Sequence, residues 1–204
     1  MTATITANKP LRLWRLLLPL GFQALLLLSI AIPPLYTEIS GRTVVLKTIP
    51  IDPYDLLRGY SQTLTYEISL VENIKKLPGW ETLPRRLDYN HSSLSIPNQT
   101  GFYLILEAPQ GSSKIPQPWK PVQIQTSLPM NLPANRVALK GTVNYGRIEY
   151  GLETYYMPEE LRKEVNNAVT ESNRKQSGAV EIKVDANGRA VATQLWAGDR
   201  NYRF

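Results

Sequence analysis

Beyond an N-terminal apolar run, the chain alternates polar and apolar residues with period two. Leu64, Tyr66, Ile68 and Leu70 interleave with Thr63, Thr65, Glu67 and Ser69, which predicts a half-buried strand over 61–71. Phe102, Leu104 and Leu106 alternate with Tyr103, Ile105 and Glu107, and shorter runs at 122–125, 137–145 and 147–153 repeat the signal. Val180, Ile182 and Val184 alternate with Glu181, Lys183 and Asp185. Ala186-Asn187-Gly188 then supplies turn residues, and 190–196 returns as a partner strand, so the C-terminus reads as a hairpin. One stretch changes period. Pro158 suits a first helical position, Glu159 and Glu160 suit the positive end, and Leu161, Val165, Ala168 and Val169 fall on one face. The pattern predicts an α+β fold, mostly antiparallel β-sheet with one packed helix, preceded by a single N-terminal transmembrane helix.

That preceding helix is read from Leu16 to Tyr36, a neutral and leucine-rich stretch of roughly 30 Å if helical, which matches a bilayer's hydrocarbon core. Trp14 and Tyr36 stand at its ends, where amphipathic rings favour the headgroup region. Pro33-Pro34 is expected to end the helix near the far interface. Lys9, Arg12 and Arg15 precede it with no acid among them, which assigns the N-terminus to the cytoplasm and the rest to the other side. A cleavable signal peptide shares the basic start and apolar core, with Ser29-Ile30-Ala31 as its small-residue site. The retained anchor is the preferred reading, because the neutral stretch outruns an ordinary signal core. The chain then divides into a basic cytoplasmic segment at 1–15, an anchor at 16–36 and an exported β-rich domain at 37–204.

Composition narrows the chemistry. The 204 residues carry a net charge of +6, no cysteine and one histidine, His91. Disulfides, thiolate metal sites and a cysteine nucleophile are excluded, and an imidazole relay has only His91 in a polar loop to draw on. No phosphate-cradling glycine loop and no dense acidic loop for a cation is present. Neither a cofactor nor a metal is expected, and nucleic acid is not expected as a partner. Glu149 and Glu153, placed on one strand, would stand about 13 Å apart, too far for either glycosidase geometry. Two basic pairs, Lys75-Lys76 and Arg85-Arg86, flank Trp80. They read as a solvated face, with contact to anionic lipid headgroups as the sharper alternative.

The most informative stretch is 48–60. Asp52 fits a helix N-cap, Pro53 the first helical position, and Asp55 the third position of a capping-box-like pair. Arg58 suits the negative end of that turn and Gly59 the left-handed residue that stops it. Capping accounts for all of these residues. The functional alternative is that Asp52, Asp55 and Arg58 converge as a polar binding site, joined by Gly59, Tyr66, Glu153 and Glu159.

Gly59-Tyr60-Ser61-Gln62-Thr63-Leu64-Thr65-Tyr66 resembles the signature of the GDYXXLXY family of bacterial membrane-anchored proteins. Gly59, Leu64 and Tyr66 agree with it, whereas Tyr60 and Ser61 stand where the signature has aspartate and tyrosine. Tyr150-Gly151-Leu152-Glu153 through Pro158-Glu159 resembles the family's second block, and Val184 to Ala190 its closing hairpin. The resemblance implies one span and an exported domain, frequently encoded beside multi-spanning membrane proteins, and it supplies no catalytic residues. The expected role is a tethered binding or assembly module that contacts membrane lipid through its span and another envelope or membrane protein through its domain. A carboxylate-dependent exported hydrolase or small-ligand-binding enzyme is the alternative.

Overall fold

The leucine run forms helix α1, Trp14–Ser40, in a computed structural model that describes residues 13–49, 61–87, 94–111, 116–156, 160, 164–165, 167–168, 171–172, 178–197 and 200–203. The helix is 27 residues long, long and apolar enough to cross a bilayer, and no protein covers its apolar window. The expected stop at Pro33-Pro34 is incorrect: both prolines, like Pro19, lie inside the helix. Each proline removes a donor and crowds the carbonyl one turn back, but the residues after the pair keep their own donors. The final turn is held from outside the helix. Thr37 Oγ1, buried, donates to Asp185 Oδ2 at 3.1 Å, while Gly41 N donates to the Thr37 carbonyl at 2.9 Å. That tertiary attachment opposes a local penalty of about 3 kcal/mol per interior proline.

The chain separates into two units, Met1–Leu35 and Tyr36–Phe204. The second unit begins with the last turn of α1 and continues into strand β1, Arg42–Ile49. Short strands β2 (Ser61–Thr63) and β3 (Thr65–Tyr66) come next, then a 3-10 turn at Glu67–Ser69 and a one-turn helix α2, Val71–Ile74. The single strand predicted over 61–71 is therefore too long. Its alternation survives as burial of Leu64, Tyr66 and Ile68, but the backbone coils after Tyr66 and leaves Leu70 exposed. A ribbon of β4 (Arg86–Leu87) and β5 (Leu94–Ser95) precedes β6 (Thr100–Glu107), β7 (Lys120–Gln125), β8 (Arg136–Asn144) and β9 (Arg147–Glu149). Strand β10 (Thr154–Tyr156) and the C-terminal β11 (Gly178–Val184), β12 (Ala190–Ala197) and β13 (Arg200–Tyr202) complete the set.

Two antiparallel sheets dominate, ordered β13-β12-β11-β1-β3 and β7-β6-β8-β9. The predicted C-terminal hairpin is present as β11–β12, with β1 on its far side in the register Val44↔Ile182. Alternate residues of both sheets enter one core, with Val44, Leu46, Val180, Ile182 and Leu195 from the first and Phe102, Leu104, Leu106, Ile124 and Leu139 from the second. Each such side chain contributes about 1.5–3 kcal/mol of transfer free energy. Within 160–172 the described residues 164–165, 167–168 and 171–172 are helical, and Val165 and Ser172 are buried seven residues apart. Val165 reaches the same core. The fold is α+β, mostly antiparallel, behind one N-terminal apolar helix. The sheets are also joined by main-chain bonds, Trp119 N to Val45 O and Lys140 N to Gly188 O, both at 2.8 Å.

Candidate functional site

Leu64 and Tyr66, which agree with the signature quoted above, are both buried and fasten the chain to 150–153. Leu64 N donates to Glu153 O at 2.7 Å, and the Tyr66 hydroxyl donates to Leu152 O at 2.7 Å. From the other direction, the Tyr150 hydroxyl donates to Ile68 O at 2.9 Å. Gly151, at φ +74°, turns the chain so that the Glu153 carboxylate accepts the Tyr150 amide at 2.6 Å. The two blocks, more than 80 positions apart in the chain, are thus one hydrogen-bonded corner. The strand order adds to this: β2 pairs with β10 in the register Ser61↔Tyr156.

The candidate residues fall into two groups. Tyr66 and Glu153 are brought together at this corner, and both have structural partners. Asp52, Asp55, Arg58, Gly59 and Glu159 lie outside the described residues, as does His91. The placement of Glu149 and Glu153 on one strand is corrected: β9 ends at Glu149 and Gly151 breaks the extension. Glu149 instead accepts the Asn144 side-chain amide at 2.6 Å. Among the described residues no group of three or more His, Cys, Asp or Glu could hold a metal ion.

Burial, and secondarily the Glu153 charge, raise the Tyr150 phenol well above its ordinary value. The folded chain therefore keeps a proton that the unfolded chain releases above about pH 10. The resulting stabilisation is fully present below that pH and is lost as pH climbs from there toward the raised folded value. Wild type should lose up to about 1.4 kcal/mol per pH unit in this range relative to Tyr150→Phe, measured by urea unfolding at stepped pH. At neutral pH the variant should cost only about 1 kcal/mol, for the bond to Ile68 O.

A groove of about 600 Å³ opens elsewhere on the second unit, between the segment after β3 and the β8–β9 hairpin. Val71 and Trp80 form one wall, Leu94 and Ile96 another, and Val143 part of the rest. Polar side chains line it as well, the charged Glu72 and Arg85 and the neutral Ser95 and Asn98. Glu72 is ion-paired with Lys75. Arg85 has no hydrogen bond or ion pair among the described residues. The apolar character continues past the rim, because Leu87, Leu94 and Tyr145 are 54%, 63% and 89% exposed.

One rim is unusually well fixed. Gln99 (φ +62°) and Tyr145 (φ +47°) are the non-glycine residues with positive φ among those described, and they adjoin the lining residues Asn98 and Gly146. Gln99 N donates to Val143 O at 2.8 Å, and Tyr145 N donates to Asn98 Oδ1 at 2.8 Å. Side chains in this backbone region cost about 1–3 kcal/mol and persist where surrounding bonds over-determine them, a condition concentrated at binding sites. Sequence reading noticed Trp80 and Arg85 as part of a basic surface. It missed the groove, part of whose lining, Val143 and Gly146, comes from some 60 positions further along the chain.

A family model described as GDYXXLXY protein matches residues 23–195. No curated protein and no solved structure matches the chain.

Proposed function

This chain belongs to the GDYXXLXY family, and on that premise we propose that it is a membrane-anchored extracytoplasmic binding or assembly module that contacts another envelope or membrane protein. The observation that carries the proposal is a preformed groove of mixed polar and apolar lining on a β-rich domain that follows one uncovered apolar helix. Lys9, Arg12 and Arg15 ahead of that helix, with no acid among them, support a cytoplasmic N-terminus and an exported domain in a bacterial membrane. Exposed apolar area bordering a groove supports contact with a macromolecule, since a small ligand would be served by the cavity alone.

The anchor is tested by alkaline carbonate extraction of membranes that hold the full chain. The parent chain should stay in the pellet. Leu26→Asp with Leu27→Asp adds about 2.5–3.5 kcal/mol per residue to the insertion free energy and should shift most of the protein to the supernatant. A C-terminal alkaline phosphatase fusion that stays inactive would refute the orientation. Purification in mild detergent that recovers this chain alone would refute the module.

A further inference from the structure

Among the described residues, the charges that line the groove are not balanced. Glu72 is answered by Lys75 on the same helical turn. Arg85 lines the cavity with no counterpart among the described residues, and Trp80 and Leu94 line the same cavity. A guanidinium without a partner at the groove is matched by a planar carboxylate, because its fork meets both oxygens in a charge-assisted, bidentate pair. A membrane surface is a poorer match. Recognition of anionic lipid uses clusters of about four to eight cations on an accessible face, whereas this concavity offers one. Among the described residues the strand β5, which carries Leu94, pairs with β4 alone, and no described strand lies on its second edge. An extended chain can use such an edge for main-chain bonds.

We propose that this groove binds an extended acidic segment of a partner protein. One carboxylate pairs with Arg85, and the apolar side chains flanking it pack on Trp80 and Leu94. The inference rests on the reading of the chain as a tethered binding module and names the chemistry that the module recognises. The fixed rim at Asn98, Gln99 and Tyr145 supplies preorganisation, so little ordering of the groove itself opposes binding.

The test uses full-length chain in its native membranes with a photoreactive benzoylphenylalanine at position 94, and at Met130 as a second exposed position remote from the groove lining. Position 94 should yield adducts with another protein whose captured peptide holds Asp or Glu next to apolar residues. Arg85→Glu should reduce those adducts about tenfold or more, while Lys120→Glu leaves them unchanged. Arg85, Leu94 and Lys120 are exposed, so these variants should fold, as confirmed by unchanged thermal melting. Adducts with lipid, with a second copy of this chain or with a segment lacking an acid overturn the proposal. So do adducts indifferent to Arg85→Glu, equal capture from position 130, or no adduct at all. Detergent copurification separates the two levels. A partner recovered equally with Arg85→Glu plus Leu94→Asp removes the groove and leaves the module standing, whereas no partner with the parent chain removes both.

Discussion

Gly79→Ala is expected to destabilise the folded domain by about 4 kcal/mol or more, which in a domain of this size lowers the melting temperature by roughly 8–16 °C. Gly79 has φ +92°, where an L side chain adds about 1–2 kcal/mol of strain. Space is the larger problem. A Cβ built there would lie 2.0 Å from the carbonyl oxygen of Ile124, an atom of the main chain of β7. Relief requires the two backbones to separate, which breaks the 2.9 Å bond from Ile124 N to Pro78 O and uncovers the buried Ile124 side chain. Gly151→Ala is the control, since it has φ +74° and nothing within 4 Å of its added Cβ. It should cost only the strain. Denaturation of both variants in detergent measures the difference, and equal losses would show that the close approach to β7 is not tight.

The contact at Gly79 also separates what the sequence makes legible from what it hides. Strands at 100–107, 136–144, 178–184 and 190–197 are readable because alternate residues enter the shared core, and period two then survives in the residues themselves even where Ile105 and Ala138 are also buried. The same rule overextended the strand at 61–71. Ile68 is buried from a 3-10 turn and keeps the alternation after the strand has ended at Tyr66. At Pro33-Pro34 the local rule is sound but incomplete, since Thr37 in the helix's last turn is bonded to Asp185, far along the chain. Pairings at long separation leave no local trace. Nothing in residues 42–49 announces β11 as a neighbour, and nothing in Leu64 or Tyr66 announces Leu152 and Glu153.

The candidate site follows the same division. Tyr66 and Glu153 were legible as members of recognisable blocks, but their geometry assigns them to holding those blocks together. The Tyr66 hydroxyl and the Glu153 carboxylate each meet a main-chain group of the opposite or adjoining segment. The groove was illegible for a different reason. Trp80 and Arg85 draw notice in the sequence, yet concavity is a property of several segments at once. Leu94, Ile96 and Val143 look like ordinary apolar residues until the β8–β9 hairpin stands beside them. Backbone strain gave no sequence signal either, because Gln99 and Tyr145 are poor choices for positive φ.

Asp185→Ala should cost about 3–5 kcal/mol, because a single buried carboxylate organises two distant parts of the domain. Its Oδ1 accepts the amides of Asn187 and Arg189, at 2.8 and 2.9 Å, and so shapes the β11–β12 turn. Its Oδ2 accepts the Thr37 hydroxyl at 3.1 Å. The turn it shapes also presents the Gly188 carbonyl to Lys140 N, joining the two sheets. Thr37→Val, close to isosteric, removes the hydroxyl and should cost about 1.5–3 kcal/mol, the range for a bond to a charged group. In the double variant the two losses should fall short of their sum by about 1–2 kcal/mol, since each substitution already removes the shared bond. Asp185→Asn keeps an oxygen for the turn amides and should lie between wild type and Asp185→Ala. Urea unfolding of the four proteins supplies the cycle. Strict additivity would mean that the last turn of α1 is held by something other than this carboxylate, and the account of why the helix outlasts Pro33-Pro34 would fail with it.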